Sequence, residues 1–289
     1  MYKMYSNKPF LKISPLTEDE YLRWSGLLAE RLGIIVPKER KMFLQSKIWS
    51  RMREIGYQEY DKYWDYINSG IEGNLEWSQL VDRLTVHETS FFRHGPSFDL
   101  VYEDMLRKVQ LSDDTLRYKI WSVSCATGEE AYSLGLLAHQ VCQESSETGI
   151  KTYFGVTATD VSSPAVSLAK QAIYSVDKLK NIDEIYHKNL VFLNDEMFTI
   201  KDNIKKRMAF GVFNLLDVNR PSNIKYDVIY CQNVLMYFEK KVREQILNGL
   251  VAYLNHNGLL VLGQTEINAW SHPKMKRVNK NRTLAFRLK

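Results

Sequence analysis

The hydrophobic pattern changes its period near Lys119, and this change constrains the fold more than any other feature of the sequence. After it, short apolar runs typical of buried strands alternate with longer segments whose apolar residues recur at helical spacing. The strand-like runs are 120–123, 153–159, 226–231 and 259–263. Strands that alternate with helices predict βαβ units and a mostly parallel sheet, which binds ligands at the carboxyl ends of its strands.

The segment before this change has helical periodicity instead. Thr17 and Glu20 form a capping-box pattern at the first helix, and Gly33 is placed to end that helix. Three further helical segments follow. We therefore expect an all-helical N-terminal domain over residues 1–85 and an α/β domain over residues 86–289.

Residues 187–213 interrupt the alternation of strands and helices. Three β-like runs, at 190–193, 197–200 and 208–213, are separated by polar stretches that are too short for a crossover helix. The pattern predicts a small antiparallel β insertion of three strands within the α/β domain.

The composition excludes several classes of protein. Hydrophobic residues make up 45% and charged residues 25% of the chain, which is typical of globular proteins and not of disordered ones. No apolar stretch approaches the roughly 20 residues of a membrane helix, so we expect no membrane insertion. Met1–Phe10 is polar and has no signal-peptide pattern, and Cys125, Cys142 and Cys231 fit neither a disulfide framework nor a zinc site. We therefore expect a cytoplasmic protein.

The formal net charge of +5 arises from two basic segments, 38–53 and 274–289, on an otherwise acidic chain. Two basic faces indicate an anionic partner, such as nucleic acid, lipid or an acidic protein. The alternative is ordinary solvated helix and hairpin surface, and charge alone favours this alternative.

The turn at 124–130 joins the first predicted strand to a helix. Its small residues and Gly128 let a ligand approach the backbone closely, but it has neither a G-x-G-x-x-G fingerprint nor a P-loop lysine. Its two acids would repel a pyrophosphate and suit a cationic or ribosyl ligand, although they also suit a capped helix start. Asp160 ends the next strand, where a carboxylate either accepts hydrogen bonds from ribose hydroxyls or caps a helix.

Two further segments carry candidate residues, one that joins the helical unit to the sheet domain (84–93) and one at the carboxyl edge of the sheet (231–238). Phe91 and Phe92 precede Arg93, so the aromatic rings either pack on a ligand and present a fixed cation or dock the two domains together. Asn233 and Tyr237 follow the predicted strand 226–231, and structural hydrogen bonding would explain either of them equally well.

Together these segments resemble the CheR family of chemoreceptor protein-glutamate O-methyltransferases, which use S-adenosylmethionine. The matching segments are 89–93 (TSFFR), 120–138, 158–175, 213–217, 226–238 and 254–266. The resemblance implies an α/β, Rossmann-like methyltransferase sheet that carries the small β insertion and follows the helical N-terminal domain.

The resemblance also implies a role for the matching residues. Arg93 and Tyr237 would act at the reacting methyl group. The cofactor-binding residues that it implies are His87, Thr89, Arg93, Glu129, Asp160, Asn214, Leu215, Gln232 and Asn233.

Within this set, Asp160 would hold the ribose of the cofactor, while Asn214 and Leu215 would flank its adenine. His87 and Gln232 depart from the asparagine and arginine that are usual in the family. Each can still donate a hydrogen bond, so we expect an altered affinity and not a loss of activity.

The function that the resemblance implies is methyl transfer to glutamates of the receptor cytoplasmic domain by a monomeric enzyme. A glutamate with a reference pKa of about 4.3 is already ionised at neutral pH, so the reaction needs alignment more than a base. The basic 38–53 helix would dock on acidic receptor helices. Two rivals are an S-adenosylmethionine enzyme that acts on nucleic acid, which we do not expect, and a non-catalytic module that signals by binding.

Overall fold

The computed structural model describes residues 14–220, 222–267, 270–280 and 283–289, so the polar stretch at 1–10 lies outside the described residues. The internal contacts divide the chain into two compact units, one ending at Val86 and the other beginning at His87. Within the described ranges, no helix is long and apolar enough to cross a membrane.

The first unit is all-helical, as predicted. Its helices are α1 (Glu18–Leu32), α2 (Lys41–Ile55), α3 (Tyr60–Ile67) and α4 (Gly70–Leu84). The predicted capping box is present, because the Thr17 hydroxyl accepts the Glu20 N–H at 3.2 Å and the Glu20 carboxylate accepts the Thr17 N–H at 2.7 Å. Gly33 ends α1 in the left-handed conformation, with φ +72°.

A buried carboxylate, Glu76, ties three helices of this unit together. Arg51 on α2 donates to its two oxygens at 2.8 and 2.6 Å, and the Tyr63 hydroxyl on α3 donates to it at 2.7 Å. This contact raises the pKa of Arg51. Arg51 is therefore a structural residue. The prediction that the basic residues of the 38–53 segment form a solvated or docking surface is wrong for Arg51.

We expect Arg51→Met to lower the free energy of unfolding by about 3–5 kcal/mol, because it leaves the Glu76 carboxylate buried without its cation. Chemical denaturation followed by tryptophan fluorescence measures the change, since Trp24 is fully buried in this unit. Arg53→Met, at an exposed position of the same helix, should change the value by less than about 0.5 kcal/mol. Equal effects of the two substitutions would contradict the structural role of Arg51.

The second unit has the predicted α/β architecture. Its elements are α5 (Gly95–Gln110), β1 (Thr115–Val123), α6 (Glu129–Ser145), β2 (Lys151–Asp160), α7 (Ser163–Gln171), β3 (Ile173–Ser175), α8 (Glu184–His187), β4 (Leu190–Phe192), β5 (Met197–Ile200), α9 (Asp202–Lys205), β6 (Met208–Val212), β7 (Tyr226–Cys231), α10 (Lys240–Val251), β8 (Leu254–Leu262), β9 (Met275–Lys280) and β10 (Thr283–Leu288). The main sheet has the order β6-β2-β1-β7-β8-β10-β9.

The first five strands in this order are parallel, and β10 runs antiparallel to both β8 and β9. Strand β7 and the carboxyl-terminal parts of β1 and β8 are buried on both faces, which explains why they appear in the sequence as nearly continuous apolar runs. Helices α5 and α6 pack on one face of the sheet, and α10 packs on the other. The carboxyl ends of the five parallel strands lie along one edge of the sheet.

The small antiparallel sheet exists, but its predicted membership is wrong. Its order is β3-β5-β4, so its third strand is 173–175, which lies before the predicted insertion of 187–213. The run at 208–213 instead supplies β6, which pairs in parallel with β2 at the edge of the main sheet. The cause is burial: Met208 and Phe210 on β6 pack against the core beneath α6.

Candidate functional site

Backbone strain is concentrated in the turns at the carboxyl ends of the main-sheet strands. Among the described residues, six that are not glycine have a positive φ, and three of them lie in these turns. The three are Ser124, Ala126 and Asn233, and a fourth such residue, Phe92, lies in the turn before α5. Such conformations cost of order 1–3 kcal/mol each and accumulate at binding sites, so this edge is the candidate site.

Asp160 organises the centre of this edge and is buried. Its Oδ2 accepts hydrogen bonds from the Ala126 N–H at 2.9 Å and the Ser124 hydroxyl at 3.3 Å, and its Oδ1 accepts the Ser162 N–H at 2.9 Å. The N-cap of α7 is Ser162, whose hydroxyl accepts the Ala165 N–H, so Asp160 is not itself the helix cap. A carboxylate accepts about four hydrogen bonds, which leaves Asp160 capacity for a ligand.

Glu129 is fully buried. Both of its carboxylate oxygens are bound within the protein, one by the Lys178 ammonium and the other by the Thr127 hydroxyl at 2.7 Å. The Tyr174 hydroxyl from the small sheet also donates to the Thr127 carbonyl at 3.0 Å. Glu129 therefore braces the turn against β3 and the segment that follows it, and it has no exposed surface.

Glu130, which the sequence analysis did not assign, is the acid that remains partly accessible at this edge. Its carboxylate accepts the Ser122 hydroxyl at 2.7 Å. Desolvation by its surroundings raises the pKa of Glu130 to about 8, and the charges of Glu266 and Asp160 add to this effect. The Ser122 hydrogen bond and the nearby Arg93 cation act in the opposite direction.

Arg93 stands on a turn that aromatic packing holds in place. Phe91 is buried and packs edge-on against Tyr174, with 4.9 Å between the ring centroids. Phe92 has a φ of +47° and stacks on Tyr186 at 4.9 Å. Both rings pack within the second unit, and they leave the Arg93 side chain exposed beside Glu130.

His87 and Thr89 precede Arg93 in the same segment of the chain. His87 and Thr89 are half-buried. Arg93 donates from Nη1 to the Glu88 carbonyl at 2.8 Å, so its guanidinium lies close to the backbone between them.

A backbone hydrogen bond brings the segment that carries Asn214 and Leu215 beside the end of β2. The Phe213 N–H donates to the Asp160 carbonyl at 2.9 Å, which places the following turn beside the end of β2. Asn214 begins this turn, and its side-chain oxygen accepts the Leu216 N–H at 3.1 Å. Leu215 is buried in the core beneath α10.

Gln232, Asn233 and Tyr237 follow β7. The Gln232 amide donates to the Ser97 hydroxyl at 2.8 Å and to the Leu262 carbonyl at 3.2 Å, so both of its hydrogens are used inside the protein. The expectation that Gln232 offers a donor to a ligand therefore lacks support in this geometry. Asn233 is exposed, and Tyr237 is half-buried in a short 3-10 turn.

The carboxylates at this edge fit one class of ligand. The charges of Asp160, Glu266 and Arg93 all act on Glu130, so three carboxylates and one guanidinium lie near one another. Glu266 is more deeply buried than Glu130. A mostly acidic group of side chains suits a ligand with positive charge, and an acid at the end of β2 suits ribose hydroxyls. S-adenosylmethionine has both features, since its sulfonium and amino groups are cationic.

Comparison with known proteins decides the family. Residues 87–284 match the family model described as CheR methyltransferase, SAM binding domain, and residues 19–85 match the model described as CheR methyltransferase, all-alpha domain. The chain belongs to the CheR methyltransferase family. The predicted resemblance is thereby confirmed, as is the predicted cofactor, S-adenosylmethionine.

Relatives in the CheR family extend over most of the chain. The chemotaxis protein methyltransferase of Borreliella burgdorferi is 29% identical and covers 90% of this chain and 92% of its own length. Those of Salmonella typhimurium and Escherichia coli are 25% and 24% identical, and each covers 87% of this chain. The chain is thus similar over most of its length to chemotaxis protein methyltransferases.

The pKa of Glu130 predicts how cofactor binding depends on pH. If the cationic cofactor binds the ionised Glu130 carboxylate, its dissociation constant should fall as the pH rises from 6 towards 8, by up to about tenfold per unit. Calorimetric titration with S-adenosylmethionine between pH 6 and 7 measures this, because the cofactor's own amino group stays mostly protonated in that range.

Glu130→Gln should remove most of this dependence, whereas Glu129→Gln should retain it, because Glu129 is bound within the protein by Lys178. An unchanged pH dependence in Glu130→Gln would show that another group titrates.

Proposed function

We propose that this protein transfers the methyl group of S-adenosylmethionine to glutamate side chains of chemoreceptors, forming glutamyl methyl esters. The observation that supports this most directly is the exposed guanidinium of Arg93 beside the Glu130 carboxylate at the candidate site. A guanidinium matches a carboxylate with two parallel hydrogen bonds, so Arg93 suits an incoming glutamate.

The chain's own residues have positioning tasks in this proposal. Arg93 orients the substrate carboxylate, Tyr237 shapes the surroundings of the methyl group, and Asp160 and Glu130 hold the cofactor's ribose and positive charge. The bound cofactor supplies a methyl group on a positively charged sulfur, which is itself a good leaving group. No general base is required, because the substrate glutamate is ionised at neutral pH.

Labelled methyl transfer to receptor-containing membranes tests this proposal. We expect base-labile label on the receptor, which identifies an ester, and peptide mapping should place it on glutamates. Label on DNA or RNA would support the nucleic-acid enzyme instead. Binding of S-adenosylmethionine without transfer to any of these acceptors would support the non-catalytic module.

We further propose that the first unit docks on the acidic helices of the receptor cytoplasmic domain, and that the protein acts there as a cytoplasmic monomer. In the basic segment, Lys38 and Lys41 pair with Glu18. Arg40 and Lys47 instead lie over the Phe43 ring, 5.0 and 5.4 Å from its centroid. These two cations are available to an acidic partner.

We expect Arg40→Glu with Lys47→Glu to slow receptor methylation and to weaken its dependence on salt, because such charges steer association. Initial rates across a salt series measure the effect. The control, Lys62→Glu with Lys170→Glu, makes the same change in total charge at two exposed positions elsewhere. A wild-type rate at low salt in the first variant would exclude this docking face, and unchanged cofactor affinity in both shows that the site is intact.

A further inference from the structure

Several backbone N–H groups at the carboxyl end of β7 point towards one place, and they bind a carboxylate of the same protein. Asn233 has a φ of +61°, and Val234 follows with φ −125° and ψ −35°. A left-handed residue followed by a right-handed one turns successive N–H groups towards one point, which is an anion-binding arrangement. The Glu266 carboxylate lies there, and its Oε1 accepts the Leu235 N–H at 2.8 Å.

The second oxygen of Glu266 is held as closely. Its Oε2 accepts the Gly263 N–H at 3.0 Å, and a Cβ at position 263 would lie 2.2 Å from it, so a larger residue there would displace the carboxylate. Burial raises the pKa of Glu266, and the backbone N–H groups of Leu235, Asn233, Gly263 and Val234 act against this. Among the described residues no lysine or arginine side chain pairs with the carboxylate, so backbone donors hold it.

Arg243 on α10 fixes the other end of the same segment. Its guanidinium donates to the Glu266 carbonyl at 2.5 Å and to the Phe238 carbonyl at 3.0 Å. Residues 233–238 are therefore bound at their start by the Glu266 side chain and at their end by Arg243, which also binds Glu266. This segment carries Tyr237, whose hydroxyl has no hydrogen-bond partner within the described part of the chain.

We infer that Glu266 is a positioning residue for methyl transfer, which holds the 233–238 segment so that Tyr237 faces the methyl group. The inference rests on the role proposed for Tyr237. Because the side chain of Tyr237 is not held by hydrogen bonds of its own, its place depends on the backbone, and the backbone depends on Glu266. A displacement of about 1 Å at a reacting centre is enough to cost about 100-fold in rate.

Hydrogen exchange of the protein with bound product, S-adenosylhomocysteine, tests the inference without any methyl acceptor. Glu266→Gln keeps the shape of the side chain but removes its charge and turns an amide group towards one of the backbone N–H donors. We expect at least about tenfold faster exchange in the 233–238 segment and unchanged exchange in β1 and β2. Unchanged exchange at 233–238, or faster exchange throughout the sheet, would overturn the inference.

A double-mutant cycle with Tyr237→Ala then tests whether Glu266 acts through this residue. Each single substitution should lower the kcat of receptor methylation about 100-fold, with a smaller change in the dissociation constant of the cofactor. The double variant should be no more than about threefold slower than either. Independent losses that multiply, or a wild-type rate in either single variant, would contradict the inference, whereas an inactive wild-type protein would count against the proposed function alone.

Two further variants guard against loss of folding. Arg243→Gln releases the far end of the segment while Glu266 keeps its backbone donors, and it should show the same local exchange and the same non-additivity with Tyr237→Ala. Glu244→Gln makes the same chemical change as Glu266→Gln at a half-buried position on α10, and it should leave exchange and kcat at wild-type values. If Arg243→Gln lowered the free energy of unfolding but changed neither the exchange at 233–238 nor kcat, the positioning role of Glu266 would be excluded.

Discussion

Arg93→Ala is expected to lower kcat about 100- to 1,000-fold, the loss typical of removing one charge-orienting donor from an active site. The structure supports an effect on kcat because Phe91 and Phe92 hold the turn on which Arg93 stands, so the guanidinium is fixed before a substrate arrives. Initial rates of methyl transfer to receptor membranes measure the change. Receptor binding should persist, since Arg93 belongs to the second unit and the proposed docking residues belong to the first.

Arg93→Lys distinguishes orientation from charge alone. Lysine keeps the positive charge but lacks the planar pair of donors, so its kcat should lie between those of the alanine variant and the wild type. Arg220→Ala, which removes an exposed arginine from a surface ion pair with Asp217, serves as the control. A full rate in Arg93→Ala would remove Arg93 from the proposed mechanism.

The architecture could be predicted because hydrophobic period is a local property of the chain. The alternation after Lys119 fixed the parallel sheet, and the capping box at Thr17 marked the start of α1. The place of β6 could not be predicted in this way. A short apolar run at 208–213 suits a small insertion and the edge of the main sheet equally well, and only its pairing with β2 decides between them.

The candidate site shows the same limit at the level of single side chains. Strand ends are visible in the sequence, so the positions of Asp160 and of the 124–130 turn could be predicted. Glu129 and Glu130 are neighbours on a helix, about 100° apart around its axis, and which one faces the ligand depends on the rest of the fold. Here Lys178, which is 49 residues away, binds Glu129, whereas Glu130 stays partly accessible.

Arg51 shows that a charge pattern predicts the exposure of a single residue even less reliably. A cluster of basic residues between 38 and 53 indicates an exposed face, yet the partner that buries Arg51 is Glu76, 25 residues further along the chain. The docking proposal therefore rests on Arg40 and Lys47, whose surroundings in the structure leave their charges available.

Asp160→Ala should raise the dissociation constants of both S-adenosylmethionine and its demethylated product by at least about tenfold. Hydrogen bonds to a charged group contribute roughly 1.5–3 kcal/mol each, and about 1.4 kcal/mol corresponds to a factor of ten. Calorimetry measures both constants, and Asp195→Ala, at an exposed position between β4 and β5, should leave them unchanged. Unchanged affinity in a folded Asp160→Ala protein would refute the assignment.

Product analogues separate the two tasks of Asp160, because this carboxylate also holds the 124–126 turn through the Ser124 hydroxyl and the Ala126 N–H. S-adenosylhomocysteine that lacks one ribose hydroxyl already lacks one of the proposed hydrogen bonds. If Asp160 binds the ribose, Asp160→Ala should therefore weaken the deoxy analogue clearly less than it weakens the natural product. If the carboxylate acts only by shaping the turn, the substitution should weaken both ligands by the same factor, and the ribose would then have to be held by another residue.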